Sequence, residues 1–208
     1  MEIELKYKLD SAESCDIILN DAWVQHHAEA TGVETLRMKS AYFDTEDYAL
    51  TQNNIAFRIR SEGDHILGTL KWGDDDTDIS GLYIRSEINV PVYDDACFFS
   101  PDPEIFTESA EGRDLLEVID GKPLQNMFDI VFTRRRLRLD YEQSIMELSL
   151  DEGAIIAGDR TAPILELEIE LFSGTKEDLI DFGKKLSAKY KLKPEPKTKF
   201  ARGVEMIG

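Results

Sequence analysis

The first residues, MEIELKYKLD, alternate. Ile3, Leu5, Tyr7 and Leu9 fall on one face of an extended chain, and Glu2, Glu4, Lys6 and Lys8 fall on the other. The same period of two returns in LRMKSAYFDT, IAFRIRSEG, HILGTLKWG, LYIRSEINV, IVFTRRRLRLDY, SIMELSLDEG and PILELEIELFSG. The turn-rich SEGD and GDDDTDISG separate runs in the first half, with Asp74 to Asp76 reading as a solvated turn. Helical spacing is rarer. A helix is expected near Ser11, with Asp10 and Glu13 as a capping box and Ile17, Ile18 and Leu19 as its apolar side. A second covers SGTKEDLIDFGKKLSAKYKL, where Leu179, Phe182, Leu186 and Tyr190 share a face and Ser173 or Thr175 caps it. Tyr93 to Leu124 is helical and irregular, broken by Pro101 and Pro103, with a helix over Arg113 to Ile119. The stretch around His26 and His27 reads as a polar loop, and KPEPKTKFARG as a proline-broken tail. The pattern predicts a mainly antiparallel β, α+β fold, a barrel or a sandwich with helices outside it. It is read as a single domain over 1–208, with 93–124 as an insertion.

Charge recurs on one face of strand after strand. Arg58 and Arg60 share a face, as do Arg134, Arg136 and Arg138, while Lys71 opposes Leu70 and Arg85 and Glu87 oppose Ile84 and Ile88. Glu147 and Asp151 oppose Leu148 and Leu150, and Glu166, Glu168 and Glu170 alternate with Leu165, Leu167, Ile169 and Leu171. Solvated strand faces are the commoner cause of such a pattern. The alternative is a barrel with its charges pointing inward and its apolar faces covered by helices. The charges are segregated by strand, acidic on the first and last runs and basic between, which favours the barrel. Inward charge is costly unless paired or given a ligand. Carboxylates would suit Mg²⁺ or Mn²⁺, and Arg and Lys would suit phosphate oxygens.

Composition narrows the partners. A net charge of −18 excludes the broad basic surface that nucleic acid requires, while leaving room for a local basic site. No run is long and apolar enough to span a membrane, and Glu2 and Glu4 stand where a signal peptide would be basic, so a cytoplasmic location is expected. Cys15 and Cys97 match no zinc or redox spacing and read as reduced thiols. His26 and His27 read as solvated, Trp23 and Trp72 as packing residues, and Asp44 as fixing a loop or pairing with an arginine.

Several motifs together resemble the CYTH, or triphosphate tunnel metalloenzyme, superfamily. Glu2-Ile3-Glu4-Leu5-Lys6 is similar to its E-x-E-x-K signature. Tyr42-Phe43-Asp44-Thr45, Phe57-Arg58-Ile59-Arg60, Thr69-Leu70-Lys71, and Arg85 with Glu87 follow in the family's order. So do the late acidic runs Glu147 to Asp151 and Glu166 to Glu170, and Thr198-Lys199-Phe200 with Arg202. Tyr93 to Leu124 is the least family-like part.

The resemblance implies an eight-stranded closed antiparallel β-barrel tunnel with flanking helices, binding a small-molecule triphosphate with Mg²⁺ or Mn²⁺. The layout is most like the bacterial inorganic triphosphatases, which implies hydrolysis of tripolyphosphate to pyrophosphate and phosphate. Glu2, Glu4, Asp151, Glu166, Glu168 and Glu170 are the expected metal ligands. Lys6, Lys8, Lys39, Arg58, Arg60, Lys71, Arg85, Arg134, Arg136, Lys199 and Arg202 are expected to grip substrate, with Glu4, Lys6 and Lys199 in the chemistry itself. Glu87 is expected to pair with Arg85 or bind metal, and Glu147 to orient a neighbour. A class IV adenylate cyclase, a thiamine triphosphatase and a non-catalytic polyphosphate-binding barrel are the alternatives, and a homodimer is left open.

Overall fold

A computed structural model describes residues 1–73 and 79–208, so the turn expected at Asp74 to Asp76 lies outside the described residues. Eight long strands carry the fold: β1 (Glu2–Lys8), β2 (Glu34–Thr45), β3 (Ile55–Glu62), β4 (His65–Trp72), β5 (Leu82–Val92), β6 (Leu124–Tyr141), β7 (Ser144–Ala157) and β8 (Arg160–Ser173). They run β5-β4-β3-β2-β6-β7-β8-β1, and β1 then pairs antiparallel with β5, placing Glu2 opposite Arg85 and Leu5 opposite Leu82. The sheet is therefore a closed barrel, and closure leaves few strand edges exposed. A two-residue strand, β9 (Lys193–Pro194), adds to the end of β1 at Tyr7 and Lys8.

Helices cover the outer apolar faces. α1 (Ala12–Leu19), α2 (Ala22–His27) and α5 (Lys176–Tyr190) bury Ile18, Val24, Phe182 and Leu186 against Leu5, Leu139, Leu148, Leu167 and Ile169. α3 (Ala49–Gln52) and α4 (Ala110–Ile119) bury Leu50, Leu115 and Ile119 against Phe43, Phe57, Ile59 and Leu70. The cap of α1 is Ser11, not Asp10: the Ser11 hydroxyl accepts from the Ser14 amide. Thr175 caps α5 by accepting from Asp178. His26 and His27 end a helix rather than sitting in a loop, and His27 packs edge-on to Trp23 and Tyr141.

The tail is not merely proline-broken. Thr198 caps a final helix, α6 (Lys199–Ile207), by accepting from the Ala201 amide. α6 packs on the inner side of the barrel. Phe128, Ile130 and Phe132 share the face of Arg134 on β6, and they form one apolar cluster with Phe200, Val204 and Ile207 of α6. The interior is thus divided along the barrel axis, with α6 on apolar residues at one end and charge in the remainder. Among the described residues, no helix is long and apolar enough to cross a membrane.

Candidate active site

The charged part of the barrel encloses a cavity of about 300 Å³. One wall is acidic and comes from β1 and β8, whose register sets Glu4 opposite Glu170 and Lys6 opposite Glu168. The facing wall is basic, with Arg58 and Arg60 from β3, Lys71 from β4, Arg85 from β5, and Arg134 and Arg136 from β6. Lys199 enters from the first turn of α6. Period-two alternation explains why each strand delivers its charges together.

Two kinds of carboxylate emerge. Glu168 is saturated with cations: its Oε1 accepts from Lys6 Nζ and from Lys199 Nζ, each at 2.6 Å, and its Oε2 from Arg134 at 2.6 Å. Burial alone would raise its pKa, but Lys199, Lys6 and Arg134 hold it well below the ordinary carboxylate range. Asp151 belongs to the same network, bonded by both arms of Arg134 at 2.8 and 2.7 Å and by Lys199 at 2.9 Å. Glu166 pairs with Lys199 at 3.0 Å and with Arg202. Asp151 and Glu166 are buried, Arg202 reaches Glu166 from α6 itself, and none of the three lines the cavity.

The acids on the other side of the cavity are short of positive charge. Burial raises Glu4, Glu2 and Glu168 nearby add to the rise, and Lys6, which lies 2.8 Å away, offsets only part of it. Glu170 has no ion pair or hydrogen-bonded side chain among the described residues, and burial with Glu2 and Glu4 pushes it up to about 8. Glu2 differs: burial opposes its ionisation, but Lys71 at 2.5 Å, with Lys6 and Arg58, brings it down to about 2. Lys71 also pairs with Glu87 at 2.9 Å. On the basic wall the imbalance reverses. Burial and the like charges of Arg58 and Arg134 weaken the hold of Arg60 on its proton.

Among the described residues, no three His, Cys, Asp or Glu side chains converge to chelate a metal by themselves. The donors nevertheless fit a hard divalent cation. Glu4 and Glu170 lie opposite each other, are buried, and carry mutual repulsion that a cation would relieve. Mg²⁺ typically takes one or two carboxylates and completes its shell with water and substrate phosphate.

Besides Arg202, two expected substrate contacts, Lys8 and Lys39, lie elsewhere. Lys8 has the parity of Lys6, but β1 is by then pairing with β9, and the Lys8 side chain is 54 % exposed and 3.5 Å from Glu195. Lys39 has the opposite parity to Ser40 and Tyr42, and its ammonium sits outside the cavity, 5.0 Å from the centre of the Phe98 ring. Asp44 fixes a loop: its carboxylate accepts from the Leu50 and Thr51 amides at 2.8 and 2.9 Å and from the Thr51 hydroxyl at 2.7 Å. Tyr42, Asn89, Arg138 and Phe172 also line the cavity, and sequence reasoning gave none of them a role there. Tyr42 shares a face with Ser40 on β2, a parity signal that was present but had no charge to draw attention.

A CYTH domain model matches residues 1–204. The chain belongs to the CYTH domain family. The inorganic triphosphatase of Haemophilus influenzae is 31 % identical over 185 residues, covering 87 % of this chain and 48 % of the relative. The chain thus spans about half the length of that relative. Among solved structures, a Hippeastrum protein with a dominant triphosphatase activity superposes with a TM-score of 0.69 at 18 % identity, covering 99 % of this chain and 96 % of its own. A Bacillus halodurans protein gives 0.61 at 20 %, covering 97 % and 96 %. A Pyrococcus horikoshii protein gives 0.55 at 16 %, covering 99 % of each. At these identities the structures show that the barrel fold is shared. Membership of this family carries the expectation of a divalent metal.

Proposed function

We propose that this chain hydrolyses inorganic triphosphate to pyrophosphate and phosphate inside the barrel, with Mg²⁺ or Mn²⁺ at the acidic wall. One observation carries the reading. The two walls are frustrated in opposite senses, Glu170 among carboxylates and Arg60 among guanidiniums. A polyanion with a divalent cation relieves both at once. The triphosphatase relative and the family match support the same reaction.

Arg58, Arg60, Arg85 and Arg136 hold the phosphate oxygens through paired N–H donors, and Lys71 adds charge. Glu2, Glu4 and Glu170 would hold the cation, which supplies Lewis acidity toward phosphate and a more acidic water. Glu4, whose basicity is raised by burial, accepts the proton of the attacking water. Lys6 and Lys199 approach from the Glu168 side and stabilise charge as it develops on the departing phosphate. Pairing with Glu168 keeps Lys6 fully protonated for that purpose.

The test is phosphate release by the purified chain from tripolyphosphate, ATP and thiamine triphosphate, with Mg²⁺ or Mn²⁺. Glu4→Gln and Lys199→Ala serve as controls. Release from tripolyphosphate that is lost in both variants is the expected result. Cyclic AMP from ATP alone would replace it with a cyclase, and binding of tripolyphosphate without turnover would reduce the protein to a binding barrel.

A further inference from the structure

Arg58 of β3 is held in an unusual way for a buried cation, whereas its neighbour Arg60 also reaches a carboxylate, Glu62, at 3.4 Å. Register sets Tyr42 opposite Arg58 and Ser40 opposite Arg60. Arg58 Nη1 donates to the Tyr42 hydroxyl at 3.3 Å, and Arg60 Nε donates to the Ser40 hydroxyl at 3.0 Å. Arg58 is only 7 % exposed, yet among the described residues no carboxylate pairs with it, and its Nε has no hydrogen-bond partner. Arg134 is the contrast, tied to Asp151 and Glu168.

The anchor behind Arg58 is rigid. The Tyr42 ring stacks on Phe128 at 4.9 Å with 25° between planes and lies 5.3 Å from Phe200. A phenol clamped this way has one direction in which to point its oxygen, and that direction is Arg58. A neutral acceptor orients a guanidinium without cancelling its charge, whereas a carboxylate would compete with an incoming anion.

We propose that Tyr42 is a positioning residue that pre-orients Arg58 toward the substrate anion. The identity of that anion as triphosphate rests on the function proposed above. Tyr42 acts through Arg58 and is not itself a reacting group.

Tyr42→Phe retains the aromatic packing and removes only the acceptor. It should raise the KM for tripolyphosphate about tenfold with little change in kcat, the scale of one hydrogen bond to a charged group held before substrate arrives. In an Arg58→Ala background the same change should add less than twofold, because its target is gone. Guanidinium NMR of the substrate-free chain provides a readout independent of catalysis. The Arg58 Nη signals should be resolved in the wild type and broaden in Tyr42→Phe, and Ser40→Ala, which removes a hydroxyl bonded to Arg60 only, should leave them unchanged. Unchanged Arg58 signals in Tyr42→Phe, or an undiminished effect in the Arg58→Ala background, would overturn the proposal. If the wild type releases no phosphate while Arg58 still broadens, the triphosphatase reading fails and the positioning role stands.

Discussion

Glu168 Oε1 is shared by two ammonium groups, Lys6 Nζ from β1 and Lys199 Nζ from α6, each 2.6 Å away. One carboxylate oxygen therefore joins the first strand to the last helix. With Arg134 on its other oxygen, Glu168 balances three buried cations. Glu168→Gln leaves those cations under-compensated, and removing one partner of a buried ionic network costs about 3–5 kcal/mol. We expect a stability loss of about 3 kcal/mol in urea unfolding, the lower end of that range because Asp151 and Glu166 still serve Lys199. Divalent-cation affinity, measured by Mn²⁺ titration, should change far less than in Glu4→Gln. An equal loss of Mn²⁺ binding in both variants would place Glu168 among the ligands and not in the network.

Lys8 and Lys39 offer the opposite expectation. Neither ammonium lines the cavity. The partner of Lys8 is a distant Glu195, in a partly exposed pair of the kind worth about 0–1 kcal/mol. Lys8→Ala and Lys39→Ala should leave the KM for tripolyphosphate within about twofold and stability within about 0.5 kcal/mol, as for ordinary surface positions. Arg58→Ala, measured beside them, should raise KM by at least tenfold. A Lys39→Ala variant with the phenotype of Arg58→Ala would mean that β2 presents its other face to the substrate.

These two lysines show where the sequence was legible and where it stopped. Alternation in EIELKYK, AFRIR and LELEIEL tells which side chains share a face, because the extended chain makes that parity unavoidable. It does not tell which face is inside. On β1 and β8 the charged parity faces in, but on β2 the inward parity is Ser40 and Tyr42, and the charged Lys39 is outside. Parity also says nothing about where along its length a strand exchanges one neighbour for another, and Lys8 lies where β1 pairs with β9. The largest omission was α6. Ile130 and Phe132 alternate in register with Arg134, so the run IVFTRRRLRL looks uniform until the returning C-terminal chain covers its first half. That contact pairs residues some 70 positions apart, and no local pattern encodes it.

The seat of α6 gives a packing prediction. A Cβ on Gly203 would stand 2.3 Å from Cε2 of Phe128, whose ring is fully buried. Alanine favours a helix over glycine by about 1 kcal/mol. Overpacking a filled core costs about 1–3 kcal/mol. Because the ring has no solvent to move into, the second effect should win, and Gly203→Ala should lower stability by about 1–2 kcal/mol in urea unfolding. It should also slow tripolyphosphate turnover, since Lys199 lies one turn earlier on the same helix. Trimming the obstacle in Gly203→Ala/Phe128→Leu should recover part of both losses. A Gly203→Ala variant more stable than wild type would show that α6 is not seated against Phe128.

Asp21 provides a pH test far from the cavity. Its carboxylate caps α2 by accepting from the Trp23 and Val24 amides at 2.9 and 3.2 Å, and it also accepts from the Tyr190 hydroxyl at 2.5 Å and from Lys189. Burial works against ionisation, but Lys189, Tyr190 and the two amides bring the carboxyl from 3.8 to about 2. The folded value lies below the unfolded one, so the ionised form is the stabilising form. Its contribution is complete above about pH 4 and is lost as pH falls through about 2. Asp21→Asn keeps a good cap and removes only the charge. The stability difference between wild type and Asp21→Asn should be about 1 kcal/mol at pH 7, reduced from the full linkage value by solvent screening of Lys189. Urea unfolding repeated from pH 7 down to pH 2.5 should show that difference holding to about pH 4 and then shrinking. A difference that grows with acidity would mean that the charge of Asp21 opposes folding, and that helix capping alone accounts for its place between α1 and α5.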